Sequence, residues 1–423
     1  MARTLTPQDA YALINLMVKE QTGQDSTIQA VDTSSFVSVG EQLLAAGTEN
    51  VLNTLGLVLG RTMVAARPYN SKLRILNPVE SGMYANRIRK ISYYSREAEP
   101  SGAFNTQLFT NLNMGFDNEE NPNSGGTAQS TGSMWVQNQP VPLEMNFGGM
   151  STWQDSTTVY EDQLKAAFRD EASFNSFVAG IITEKANDIE SQKEAFNRAA
   201  LLNFIGELVN FYQDGCTVVN LTSEFNTKFG TSYTSAQLRT TYLKDFTEFL
   251  VATVKGYMAK LQIRQVGNHW SPAKTVNGVN YVLMRHTPID KQRLIMYAPL
   301  FRDVEAMVLP EIFNTPYLDI EKQYEGVEFW QNINNGAAVS VVPAIPNKTT
   351  PASGQIKGST VSIDYVVGLL YDEDALFTEY QLESALSSPI EARKRYRNIW
   401  WTICRNLCSD ISENAVLFIM KDN

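Results

Sequence analysis

Two histidines, His269 and His286, and three cysteines, Cys216, Cys404 and Cys408, are the chain's whole supply of the side chains most used as bases, metal ligands and nucleophiles near neutral pH. Cys404 and Cys408 stand four apart with no histidine nearby, so they fit buried small hydrophobes better than a zinc site. His269 is followed by Trp270 and Pro272, and His286 by Pro288, which puts both at loop or strand ends. Carboxylates cluster at Asp117, Glu119 and Glu120 and again at Asp372, Glu373 and Asp374. Neither set has the spacing of an EF-hand calcium loop. The first lies among Asn and Gly and reads as solvated. The second lies where a helix is expected to begin, and the helix dipole favours carboxylates there. There is no GxxxxGK phosphate loop, no HExxH and no GxSxG. These counts argue against a conventional hydrolase or metalloenzyme, and neither a metal nor a cofactor is expected.

The charge balance narrows the partners. The 423 residues carry 35 Lys plus Arg against 45 Asp plus Glu, a net charge of −10. Phosphate binding is driven by Lys and Arg, so an acidic chain makes a poor nucleic-acid coat. The basic run Arg393-Lys394-Arg395-Tyr396-Arg397 is the local exception, and it reads as a subunit or lumen contact ahead of a DNA contact. Only 19% of residues are charged, below the roughly 25% of an average domain. Neutral polar residues, including 33 Asn, take their place. Such a surface costs less to desolvate than a charged one, which suits protein–protein contact. Three cysteines form no disulfide framework. No apolar run reaches the ~18 residues of a membrane span, and no signal peptide is expected.

The elements that must position these residues follow from periodicity. Residues 6–20 read as a helix with Thr6 as N-cap and Pro7 at the first helical position. From Phe36 to Arg61 the chain is apolar and broken by glycines, as helical pieces that dock on something else. Arg87 to Tyr93 alternates like a strand. A long Asn-, Gly- and Ser-rich segment follows, and Met134-Trp135-Val136 is expected to return as the second strand of a protruding hairpin. Residues 170–214 carry one apolar stripe from Phe174 to Phe211, which spans about 60 Å as a single helix, with a break near Asp188 left open. Gly215 is expected to end it. Thr234 and Gln237 make a capping box for a second helix through Leu261. Strands are expected at 281–284, 293–297, 327–330, 338–342, 361–370, 396–404 and 414–420. Short helices are expected from Pro299 to Phe313 and from Asp372 to Phe377.

Gly368-Leu369-Leu370-Tyr371-Asp372-Glu373-Asp374-Ala375-Leu376 resembles a strand-and-turn segment of tailed-bacteriophage major capsid proteins. Tyr396 to Trp400 and Asp410 to Phe418 resemble that family's closing strands. Phe36 to Gly40, Arg61-Thr62 and Ala66 to Tyr69 are similar to its N-terminal arm, and the helix at 170–214 to the spine helix of short-tailed phages. The resemblance implies an α+β chain with the Hong Kong 97 type fold. Carried over, 1–70 would be the arm and 71–150 the extended loop. Residues 151–225 with 376–423 would form the peripheral domain, and 226–375 the axial domain. It also implies hexamers and pentamers of an icosahedral virion shell, assembled in the host bacterial cytoplasm around double-stranded DNA held by weak contact. Scaffolding and portal proteins would be partners, and no membrane. A cellular encapsulin-type compartment, or an enzyme on an α+β scaffold, is the alternative.

Within the hairpin, Arg87 and Arg89 share one face of the first strand and Lys90 lies on the other. A free two-stranded hairpin is marginally stable, so something must hold it. Arg87 and Arg89 are expected to pair with carboxylates of an adjacent subunit, with Glu161, Asp162, Glu184 and Glu190 as candidates. The alternative is that both arginines are solvated or paired within the hairpin.

Overall fold

Buried positions spaced three and four apart, polar at Glu190, Lys193 and Asn197 and apolar from Ala200 to Phe211, run along the longest element, and the sheets pack around it. The structure is a computed structural model. It describes most of residues 171–302, 324–348 and 354–422, with 87–95, 140–148, 151–160 and scattered positions in 11–40, 73–80 and 162–168.

In chain order come β1 (Val79–Glu80), β2 (Arg87–Tyr93), β3 (Pro142–Gly148), β4 (Ser151–Tyr160), helix α1 (Glu171–Asn210) and β5 (Thr217–Asn220). Helices α2 (Leu221–Phe229), α3 (Ser235–Leu238) and α4 (Leu243–Leu261) follow. Then come β6 (Lys274–Val276), β7 (Val279–Tyr281), β8 (Gln292–Tyr297), β9 (Tyr324–Val327), β10 (Val339–Val341), β11 (Ala344–Pro346) and β12 (Gln355–Lys357). The last five are β13 (Val361–Ile363), β14 (Val366–Asp372), β15 (Leu376–Ser387), β16 (Tyr396–Ser409) and β17 (Ala415–Ile419).

Two sheets organise these elements. A four-stranded sheet has the order β1-β15-β16-β4, and a five-stranded sheet has the order β5-β17-β14-β8-β9. Every residue of β14 is buried, because it lies mid-sheet with both faces covered. That explains why Val366 to Tyr371 shows no polar alternation. Strands β5 and β17 come from segments assigned by resemblance to the peripheral domain, yet they pair within the sheet of β14 and β8.

Helix α1 joins the two sheets. Its middle, from Lys185 to Phe196, lies along β4 and β16. Phe196 meets Trp153 edge-on with ring centroids 5.3 Å apart, and Lys185 pairs with Asp155 at 2.6 Å. Its C-terminal half enters the core, where Leu201, Phe204, Ile205, Leu208 and Phe211 are buried. The helix runs unbroken past Asp188. The apolar stripe thins there because polar pairs replace it: Lys193 with Glu190, Arg198 with Glu194, and Asn197 with Thr378. Gly215, at φ 111°, closes the turn after the helix. A Cβ there would lie 2.6 Å from the His269 carbonyl oxygen, so both conformation and space select glycine.

Several expected elements differ. The second strand of the hairpin is Pro142–Gly148; a proline is tolerated at a strand's first residue. Met134 to Val136, the helix start at Thr6 and Pro7, and the apolar segment at 41–61 lie outside the described residues. Asp372 does not start a helix. It ends β14 and holds the turn into β15, where its carboxylate accepts from the Asp374 N–H at 2.9 Å and the Thr287 hydroxyl at 2.6 Å. An aspartate that can cap a helix can equally close an Asx turn. The capping box at Thr234 and Gln237 is present, but the helix it starts ends at Leu238 and α4 begins at Leu243. The stripe reads as continuous in the sequence because Leu238, Leu243 and Phe246 share one core. Beyond Val327 the chain leaves the sheet so that Trp330 can bury itself and donate its indole N–H to the Val366 carbonyl at 2.9 Å.

Candidate assembly site at the hairpin root

Strands β2 and β3 pair from Arg87 opposite Gly148 to Tyr93 opposite Pro142. Alternation along β2 sends Ile88, Lys90 and Ser92 one way and Arg89, Ile91 and Tyr93 the other. On the inner side Ser92 is buried. On the outer side Ile91 is 49% and Tyr93 63% exposed, so the hairpin presents an uncovered face containing large apolar groups.

The inner face is fastened by charge. Lys90 Nζ lies 2.7 Å from Asp410 Oδ2 and 2.7 Å from Glu413 Oε1, and donates to the Asp374 carbonyl at 3.2 Å. Arg285 pairs with Glu413 at 3.0 Å, donates to the Ser92 hydroxyl at 2.7 Å and to the Ser412 carbonyl at 3.1 Å. Asp410 is held by the Ser412 N–H at 2.8 Å. Two cations therefore meet two carboxylates at the junction of β2, the 282–287 segment and the β16–β17 turn. Burial alone would weaken the Lys90 ammonium's hold on its proton, but Asp410 and Glu413 outweigh it and keep the group above the ordinary lysine range. Burial pushes the Glu413 carboxyl up, against the pull of Lys90 and Arg285. Pairs of this kind are costly to break one-sidedly.

A second buried acid lies behind the junction. Glu207 on α1 is fully buried and accepts from Asn203 at 3.0 Å and from the Ser409 hydroxyl. Burial pushes its carboxyl up to about 8, so it is mainly protonated at neutral pH. His269, also buried, is held between the Leu283 carbonyl at 2.9 Å and Asn414 Oδ1 at 3.2 Å, and burial lowers its pKa. That is a structural setting. Cys216, Cys404 and Cys408 are free and buried, and burial raises the Cys408 thiol well above its ordinary value. Among the described residues no group of three His, Cys, Asp or Glu is placed to hold a metal ion, and no helix is long and apolar enough to cross a membrane.

The residues expected at a subunit contact are only partly brought together. Arg89 pairs with Glu144 across its own hairpin at 2.9 Å, both side chains largely exposed. Asp162 is exposed and lies 3.9 Å from Arg395. Glu190 is 7% exposed and pairs with Lys193 of its own helix, which removes it from the surface a neighbour could reach. The side chains of Arg87 and Glu184, and all of Glu161, lie outside the described residues. Sequence reasoning missed the partners of Lys90. The available signal was a lone lysine on the inward period of a strand, with an Asp and a Glu three apart in a tight turn.

A family model described as Phi29-like phage major capsid protein matches residues 154–419, from β4 through β17. No curated protein matches the sequence. Among solved structures, the chain is similar to one in the capsid structure of Staphylococcus phage Andhra. The identity is 11% and the TM-score 0.52, covering 83% of this chain and 84% of that one. It is also similar to a chain in the capsid structure of the cyanophage P-SCSP1u, with 9% identity and a TM-score of 0.40, covering 84% and 89%. The Andhra likeness carries the fold, which is the Hong Kong 97 type, and the family match carries the role, which is structural. A chain of two sheets joined by a long spine helix, with a charge-anchored hairpin on its flank, thus belongs to the Phi29-like phage major capsid protein family.

Proposed function

We propose that copies of this chain assemble into hexamers and pentamers of an icosahedral shell that encloses double-stranded DNA, with the hairpin overlapping a neighbouring copy. The observation that carries this reading is the two-faced hairpin. Its inner face is spent on its own subunit through Lys90 and Ser92, and its outer face leaves Ile91 and Tyr93 uncovered. Exposed apolar groups flanked by arginine are suited to an interface core with a polar rim. Arg89 stands on that outer face, and the period of the strand would put Arg87 beside it. The Arg89–Glu144 pair is exposed, so it is weak enough to exchange for a neighbour's carboxylate. Asp162, with Glu161 and Glu184, forms the candidate acceptor set; Glu190 is withdrawn from it.

The mechanism is shape with no reaction assigned. A thin subunit buries much of its apolar surface only against copies of itself. A chain of net charge −10 lining the shell would hold the genome loosely enough to release it. Residues 1–70 would act as an arm and 71–150 as the extended loop. The five-stranded sheet with α2 to α4 would form the axial unit, and the four-stranded sheet with the first half of α1 the peripheral unit. Scaffolding and portal proteins would guide assembly in the host cytoplasm. The test is shell yield, scored by negative-stain images, for wild type and for Arg87→Glu with Arg89→Glu. The reading expects closed particles from wild type and a yield reduced at least severalfold in the variant. Equal yields would remove the arginine face from the interface.

A further inference from the structure

Helices α2 and α4 cover one face of the five-stranded sheet, with Phe225, Phe246 and Leu250 packed in the core beneath them. Phe225 meets Phe249 edge-on at 5.3 Å and fastens the two helices together. On the solvent side a groove of about 440 Å³ runs between them, walled by Glu224 and Lys228 on α2 and by Phe249, Gly256, Tyr257 and Lys260 on α4. From Phe249 to Lys260 the α4 wall is about 16 Å long at 1.5 Å per residue. Gly256 is exposed, and a Cβ added there would meet no neighbouring atom within 4 Å, so the subunit leaves the groove floor uncovered. Phe229, at the end of α2, is 52% exposed and lies 6.2 Å from the Phe249 ring, which extends the aromatic wall.

The rim of this groove is basic. Lys228 Nζ lies 5.5 Å from the centre of the Phe229 ring and 5.3 Å from that of Phe249. Lys260 Nζ lies 4.4 Å from the centre of the Tyr257 ring. Such contacts orient the ammonium while its stem lies on apolar surface. Among the described residues neither lysine forms an ion pair. The carboxylate of the wall, Glu224, accepts from the Tyr257 hydroxyl at 3.4 Å. Two ammonium groups against one engaged carboxylate make the groove cationic, in a chain of net charge −10.

Backbone chemistry selects the shape of the occupant. Both walls are helices whose N–H and C=O groups pair along their own axes, so an extended peptide would find no strand edge to join. A helix brings its own backbone bonds and can set its side chains between the two ridges. A second copy of this chain has no suitable helix to lend. Among the described residues of α1, α3 and α4 no large apolar side chain is exposed.

We propose that the groove between α2 and α4 docks an acidic amphipathic helix of a different protein. Its apolar side chains would seat over Gly256 against Phe249, and its carboxylates would reach Lys228 and Lys260. The site is complete within one subunit and holds whether or not copies assemble. The lysines select the partner and steer its approach, while apolar groups buried at the centre of the contact supply most of the grip.

The probe is a fluorescein-labelled peptide with leucines spaced three and four apart and glutamate between them. One control replaces every glutamate by lysine, and another scrambles the order so that no apolar stripe remains. Fluorescence anisotropy with the purified full-length chain measures binding. The glutamate helix should bind about tenfold tighter than either control, as charge complementarity at a rim implies. Gly256→Leu fills the floor where there is room for it, so its melting temperature should equal or exceed that of wild type. Its affinity for the glutamate helix should fall about tenfold, as loss of a central contact implies. Lys228→Glu with Lys260→Glu should turn the preference toward the lysine peptide, and circular dichroism melts confirm that both variants fold. Equal binding of the glutamate and lysine peptides, no binding of either, or a Gly256→Leu protein that binds as wild type does would overturn the proposal. So would a Gly256→Leu protein that loses its own assembly in sedimentation, which would give the groove to a second copy.

Discussion

Glu207 shows how a single buried carboxyl ties stability to pH. Its pKa is pushed up to about 8 from an ordinary 4.5 by burial inside the α1 core. A native pKa above the unfolded one gives a contribution that is whole below about 4.5 and is lost as pH rises through 8. Glu207→Gln should keep partners for Asn203 and Ser409 while removing the titration. Melting curves at pH 6 and pH 9 should show wild type losing several degrees more than the variant. Parallel losses would mean that Glu207 does not titrate in this range. Lys90 is the opposite case, an ammonium whose removal leaves two carboxylates facing each other. Lys90→Met should cost about 3 kcal/mol, the low end for one-sided removal of a buried partner, because Arg285 still pairs with Glu413. Denaturant unfolding checks this, and a loss below about 1 kcal/mol would place the pair among weak surface bridges. Neither residue's role was legible from local sequence. Glu207 looked like one polar position on a helix, and the partners of Lys90 lie some 320 residues away.

At the scale of elements, periodicity served well wherever one face is apolar and the other wet. Arg87–Tyr93 emerged with its bounds, and the long helix emerged within a few residues of Glu171–Asn210. Reasoning failed where two elements share one core or where a residue suits two local structures. Arg239 to Tyr242 interrupts a stripe that looked continuous, and Asp372 closes a turn. Close approach was also invisible. Gly206 lies within α1, four residues before its last residue, where glycine is ordinarily unfavourable, yet a Cβ there would come within 2.8 Å of the Pro343 ring. Gly206→Ala should therefore destabilise, by about 1–3 kcal/mol for overpacking, although helix propensity alone predicts a gain of up to about 1 kcal/mol. The sign of the change in urea midpoint decides between them. The hairpin gives an element-scale test as well. Deleting residues 100–130 should leave the melting of the subunit core unchanged, because Lys90 and Ser92 still anchor the root, while assembly fails. A deletion variant that assembles normally would show that the loop is dispensable to the shell.

For the whole molecule, the order of hairpin strands, long helix and returning strands was legible, because collinear order survives where identity falls to 11%. The sheet membership of β5 and β17 was not, since strand neighbours are set by tertiary packing. The central claim is that this subunit completes itself only against its copies. Size-exclusion chromatography with light scattering on the purified wild-type chain at micromolar concentration tests it most directly. The account predicts masses of rings, shells or larger assemblies, with little protein as a single chain. A sharp, stable peak at 47.3 kDa would contradict it.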